Sequence, residues 1–176
     1  MKTDEQLAEA ALRGDRHSLG RLVERYQKQV IVLAYRLVGN WEDAKDVAQE
    51  SFVKLITRLG SYRGESSFRT WFYRIVVNKS IDHRRKRMSR PHPVSVLSPE
   101  DLAAVSGGSD GVFEDSHILN LESLLEKLSP NQRIALVLRH YEGLSLREVA
   151  GVLGCAETTA RGHIFRALKK IRESFP

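Results

Sequence analysis

Cysteine is almost missing from the chain: of 176 residues only Cys155 carries a thiol, so no intramolecular disulfide can form. A reducing compartment, the cytoplasm, is the expected home. Long apolar runs are missing as well. The longest one near the N-terminus, Val30 to Tyr35, falls far short of the roughly 18 residues that a membrane span needs, and the start of the chain carries Asp4, Glu5 and Glu9 rather than a secretion signal. No direct membrane association is expected. The six histidines form no HExxH pattern and have no paired cysteine, and there is neither a glycine-rich phosphate loop nor a GxSxG elbow. The chain is therefore expected to hold no metal and no cofactor, and not to be an enzyme. Strands are the last absence: no stretch alternates apolar and polar residues over five or more positions between turn signals.

What is present is helical period and unevenly placed charge. With 41% hydrophobic and 28% charged residues the chain can bury a core and stay soluble. Lysine and arginine number 28 against 22 acids, a net charge of +6 that suggests a polyanionic partner. The excess is concentrated. From Asn78 to Arg90 six bases face one acid, whereas from Pro99 to Glu126 seven acids stand with no lysine or arginine.

Apolar residues from Leu19 through Leu22, Val23, Tyr26, Val30, Leu33, Ala34 and Leu37 step by three and four, which predicts a long helix ending at Gly39. Asn40 caps a second, with Ala44, Val47, Ala48, Phe52, Leu55, Ile56 and Leu59 expected inward until Gly60. After a polar turn a third helix starts near Phe68. Trp71, Phe72, Ile75 and Val76 are expected on its buried face, with Tyr73 projecting from another face beside Val77 and Ile81. Residues 91–116, with three prolines and three glycines, read as a flexible linker. Beyond it, Ser129-Pro130-Asn131-Gln132 and Ser145-Leu146-Arg147-Glu148 are helix-start signatures, and Gly143 and Gly154 are stops. The last helix spans about Glu157 to Glu173, with Ala160, Ile164, Leu168 and Ile171 inward. The expected fold is all-α, in two small helical domains joined by a flexible acidic linker. The domains are expected at 1–90 and 117–176.

Three patches carry chemistry. The short helix from Ser145, the turn at Gly154 and the last helix form a helix-turn-helix, whose outward Thr158, Arg161, Arg166 and Lys169 can meet guanine edges or phosphates in a major groove. On the third helix and the turn before it, the aromatics Tyr62, Phe68, Trp71, Phe72 and Tyr73 lie beside the basic run, the combination that single-stranded nucleic acid needs for stacking and charge. On the second helix Asp46, Gln49, Glu50 and Val53 point away from the core. Val53 is an outward apolar residue that a partner helix could cover.

The segments DAKDVAQESFVKLI, FRTWFYRIVVNKSIDHRRKR and LSPNQRIALVLRHYEGLSLREVAGVLG, in that order and around a linker, resemble bacterial sigma factors of the extracytoplasmic-function (ECF) class. The resemblance implies a promoter-specific transcription initiation factor with core RNA polymerase, through its β′ and β subunits, and promoter DNA as partners. An anti-sigma factor is a further partner it implies. It assigns Asp46, Gln49, Glu50 and Val53 to the β′ coiled coil. To the −10 element it assigns Tyr62, Phe68, Arg69, Tyr73, Arg74, Asn78, Asp82, Arg84 and Arg85. To the −35 element it assigns Glu157, Thr158, Thr159, Arg161, Gly162, His163, Arg166 and Lys169. Relatives usually place Ser and Arg where this chain has Gly162 and His163. The alternative, a stand-alone helix-turn-helix regulator, leaves the first two segments without a role.

Overall fold

A computed structural model describes residues 2–87 and 123–174, and every regular element among them is helical. The expected linker lies outside the described residues. The N-terminal unit opens with α1 (Asp4–Leu12), which sequence periodicity missed. Its signal was legible all the same: Thr3 and Gln6 form a reciprocal capping box. Helix α2 (Arg16–Val38) starts on Asp15, whose carboxylate accepts from the His17 and Ser18 amides, and ends on Gly39 in the left-handed region at φ 77°. Asn40 caps α3 (Trp41–Arg58), and a single 3-10 turn, Leu59–Ser61, leads through a polar loop to α4 (Phe68–Arg87).

In the C-terminal unit residues 123–126 are helical, followed by α5 (Pro130–His140), α6 (Leu146–Leu153) and α7 (Glu157–Arg172). The two capping boxes read from sequence are made: the Gln132 side chain accepts from the Ser129 amide at 3.2 Å, and Ser145 and Glu148 exchange bonds at 2.8 and 3.2 Å. Gly154, at φ 65°, turns the chain from α6 into α7. Ala156 offers α7 no side-chain cap.

Tyr26 on α2 centres the N-terminal core. Its ring meets Phe68 and Phe72 edge-on at 5.6 Å and Tyr73 at 6.3 Å, contacts that each add about 0.5–1.5 kcal/mol beyond their buried area. Buried apolar side chains of both units join in one cluster.

Four side chains depart from the expected faces. Ile56 is 54% exposed, because Ser51, bonded to the Val47 carbonyl at 2.7 Å, takes the buried place on α3 and leaves Ile56 round the side. Leu168 is 40% exposed, because α7 packs chiefly through Ala160 and Ala167. Tyr73, expected to project, is only 1% exposed, and Trp71, expected in the core, is half-buried. The reason is that a second unit covers the Tyr73 side of α4, which a single-helix pattern cannot register.

Candidate nucleic-acid interface and docking face

On α3 the alternation of buried Val47, Ala48 and Ser51 turns Asp46, Gln49, Glu50 and Val53 to solvent, as the sequence indicated. Val53 is 55% exposed, and Ile56, which sequence reasoning placed inside, extends this apolar strip by almost one turn. Glu50 is not free. Its carboxylate accepts from Lys79 of α4 at 2.5 Å, and that hydrogen bond holds its pKa below the ordinary carboxylate value. Together with Val47, Asp82, His83, Arg85 and Lys86 the pair lines a cleft of about 460 Å³ between α3 and α4. His83 also faces Asp43, Nε2 to Oδ1 3.1 Å.

The loop before α4 is held from three sides. The Tyr62 hydroxyl donates to the Ser66 carbonyl at 3.0 Å, the Ser67 hydroxyl accepts from the Thr70 amide at 3.2 Å, and Glu5, reaching across from α1, accepts from the Phe68 amide at 3.1 Å. Helix α4 thus has an acidic cap supplied by a residue 63 positions away. Sequence reasoning had no access to this role of Glu5.

Of the aromatics expected to stack on bases, the half-buried ones are Tyr62 and Trp71, ring centroids 5.4 Å apart. Phe68 and Tyr73 are buried. Along the outer side of α4, Arg74, Asn78, Asp82 and Arg85 are exposed at four- and three-residue steps, and Arg69 and Arg84 are half-buried. Arg84 donates to the Leu37 carbonyl at 3.0 Å, and Arg74 to the Gly151 carbonyl of the C-terminal unit at 2.5 Å. The candidate set is therefore divided between an exposed basic stripe and residues committed to packing.

Helix α7 is different. Glu157, Thr158, Thr159, Arg161, Arg166 and Lys169 are all exposed, and Gly162 and His163 are half-buried. Thr158, Gly162, Phe165 and Lys169, spaced four, three and four, run along the middle of the outward face, flanked by Arg161 and Arg166. Phe165, 68% exposed, was not singled out from the sequence. The Arg166 guanidinium lies back over Gly162 and approaches His163 Nδ1 at 3.5 Å. Burial, and then the nearby Arg166 charge, push the His163 pKa down.

Among the described residues no group of three or more histidine, cysteine, aspartate or glutamate side chains could hold a metal ion, and no helix is long and apolar enough to cross a membrane. The chemistry on offer is electrostatic and stacking chemistry toward a polyanion, together with an acidic and apolar face suited to a protein partner.

Comparisons with known proteins agree. The family described as Sigma-70 region 2 matches residues 22–90, and Sigma-70, region 4 matches residues 118–171. The chain is 36% identical to the RNA polymerase sigma-H factor of Pseudomonas aeruginosa, over 96% of its own length and 91% of that protein's. It is also 36% identical to the ECF RNA polymerase sigma-E factor of Escherichia coli, over 96% and 92%. Among solved structures, CnrH in complex with the cytosolic domain of CnrY is similar at a TM-score of 0.72 and 28% identity, across 97% of this chain and 95% of that one.

Proposed function

The chain belongs to the ECF sigma factors, promoter-specific transcription initiation factors, and from that membership we propose how its surfaces divide the work. The exposed side of α3, Asp46, Gln49, Glu50 and Val53, docks on the β′ subunit of core RNA polymerase. The loop after Ser61 and helix α4 engage and open the −10 element, with Tyr62 and Trp71 offering stacking surfaces to a displaced base and Arg74, Asn78 and Arg85 its backbone contacts. Helix α7 reads the −35 element as duplex through Arg161, Arg166 and the residues between them. Boundaries at 1–90, 91–116 and 117–176 follow this division.

The observation that carries the reading is the placement of two oppositely suited faces on neighbouring helices of one unit: an acidic and apolar strip on α3 and a basic stripe on α4, tied by the Glu50–Lys79 pair. A stand-alone DNA-binding protein has no use for the first. The chemistry of RNA synthesis stays with the polymerase, so the chain acts without catalysis of its own, in the cytoplasm where the polymerase works. An anti-sigma factor, the usual regulator in this family, is the further partner that membership leads us to expect.

The test is assembly with core polymerase, followed by mapping of transcript starts on promoter DNA. Asp46→Lys is the cleaner probe of the docking face, because Glu50 also holds Lys79. We expect it to weaken polymerase binding with unchanged helicity; an unaltered affinity would remove α3 from the interface. Failure of the native chain to co-migrate with core polymerase, or to alter start selection, would overturn the functional reading.

A further inference from the structure

The first amides of a helix find no acceptor within it, and at the start of α4 two of them are served from different places. Ser67 supplies one acceptor, its hydroxyl bonded to the Thr70 amide at 3.2 Å. The Phe68 amide donates instead to Glu5 Oε1 of α1 at 3.1 Å. Among the described residues this is the one hydrogen bond that joins residues 62–68 to a distant stretch of chain; their other bonds, from Tyr62 to Leu59 and Ser66 and between Ser67 and Thr70, are local. Glu5 is anchored for the task. It lies in the first turn of α1, which Thr3 and Gln6 cap, and its neighbour Asp4 is tied to Arg25 and, at 2.5 Å, to the Tyr26 hydroxyl of α2. Adjacent carboxylates of one turn thus grip two different helices, and negative charge is favoured at the N-termini of α1 and α4 alike.

What Glu5 holds is the residue that supports both half-buried rings. The Phe68 side chain is fully buried, and its ring meets Tyr62 edge-on at 5.6 Å and Trp71 at 5.8 Å. Tyr62 and Trp71 stand 5.4 Å from each other. A shift of the Phe68 backbone therefore moves both at once. The Tyr62 hydroxyl titrates above its ordinary value, first through burial and then through the charges of Glu5 and Asp4, so the α1 carboxylates are felt across this loop.

We propose that Glu5 is a positioning residue for −10 capture, which through the Phe68 amide presets the Tyr62 and Trp71 rings that receive an unstacked base. The inference rests on the assignment of this loop and α4 to the −10 element. Stacking on a preset pair of rings costs less ordering than stacking on a loose one, so the bond raises single-strand affinity without Glu5 touching DNA. Its charge works the other way, because a carboxylate near the strand opposes a polyanion and its removal alone strengthens binding. The two effects have opposite signs, and substitution separates them.

Holoenzyme assembled from the full-length chain and core polymerase is titrated with a −10 non-template single strand, taken from a promoter located by the mapping of transcript starts. Glu5→Ala is expected to weaken binding about three- to tenfold, the scale of a lost helix cap, with affinity for core polymerase and for duplex −35 DNA unchanged. Glu5→Gln, equally uncharged but with an acceptor at the same reach, is expected to match native affinity or exceed it. Glu5→Asp keeps the charge one bond short of the amide and is expected to weaken binding as alanine does; it replaces Glu5→Ala if that variant loses helicity. Equal affinities of the alanine and glutamine variants overturn the proposal, as does Glu5→Asp at native strength. So does a loss shared equally by core binding and −35 binding, which marks a general weakening of the fold. A native holoenzyme that binds a scrambled strand as well as the −10 strand strikes the assignment of α4 itself, and the proposal with it.

Discussion

Helices α4 and α7 carry the same kind of charge and live under different constraints. On α4 the basic side chains are wired into the fold: Lys79 to Glu50, Arg84 to the Leu37 carbonyl and Arg74 to the Gly151 carbonyl. On α7 only Ala160 and Ala167 are fully buried, and the contacts of its bases stay on the helix surface, as with Lys169 and Glu173 at 3.8 Å. Such an exposed pair contributes little to stability. In the proposed division of work, the difference follows from the substrate each helix addresses. Single-strand capture needs side chains held in fixed places around an unstacked base, and that demands a packed platform. Groove reading needs a rigid rod with a free face.

The contrast can be broken most decisively with two aromatics. Phe72→Ala, in the core of α4, should cost about 3–5 kcal/mol in urea unfolding. Phe165→Ala on α7 should stay within about 0.5 kcal/mol, while promoter affinity is read separately. Equal losses would mean that α7 is part of a core after all.

Two arginines come next. Arg84→Ala should lower stability by about 1–2 kcal/mol through the orphaned Leu37 carbonyl, so its effect on promoter opening cannot be separated from folding. Arg161→Ala should leave unfolding unchanged and lose about 1–3 kcal/mol at particular −35 base pairs; a uniform loss over all sequences would reassign it to phosphate. Gly162→Ala is smaller and of opposite sign for the fold. A β-carbon there meets only the end of the Arg166 side chain, at 3.4 Å, so the helix should gain about 0.5–1 kcal/mol, seen as a raised melting temperature. A stability gain with a loss of −35 affinity would show that DNA comes close to this backbone.

The smallest effect is with pH. Because Lys79 depresses the pKa of Glu50, the pair contributes stability above the ordinary carboxylate value of 4.5 and loses it as pH falls through the depressed value. Glu50 is more than half exposed, so solvent screens most of the contribution. The stability curves of the native chain and Lys79→Met should differ slightly above that value and converge as pH falls through the depressed one; identical curves throughout would mean that the pair is only a surface contact.

Much of this molecule was legible from local signals. Asn40, Ser129, Ser145, Gly39 and Gly154 mark helix ends within a few residues of the bonds that make them, and the three- and four-residue steps placed Asp46 to Val53 outside. What stayed hidden depends on partners far apart in the chain. The bonds from Arg133 to Arg36, from Arg36 to Glu142 and from Tyr73 to Glu142 span 97, 106 and 69 positions. A helical stripe tells which faces of α4 are apolar and not what covers each of them, so Tyr73 and Trp71 exchanged places. Burial pushes the Glu142 pKa up against the pull of its partners, a tension between neighbours that no motif encodes.

The cap that Glu5 lends to the Phe68 amide bears on how the protein can be dissected. The region 2 match begins at residue 22, yet Leu7 and Ala8 of α1 belong to the buried cluster, and Asp4 binds both Arg25 and the Tyr26 hydroxyl. A fragment cut at the edge of the recognised pattern would leave α4 fraying at its first turn. The packed structure reaches back to the Thr3 cap of α1, so the boundary of a sequence family is not the boundary of the structure that holds it.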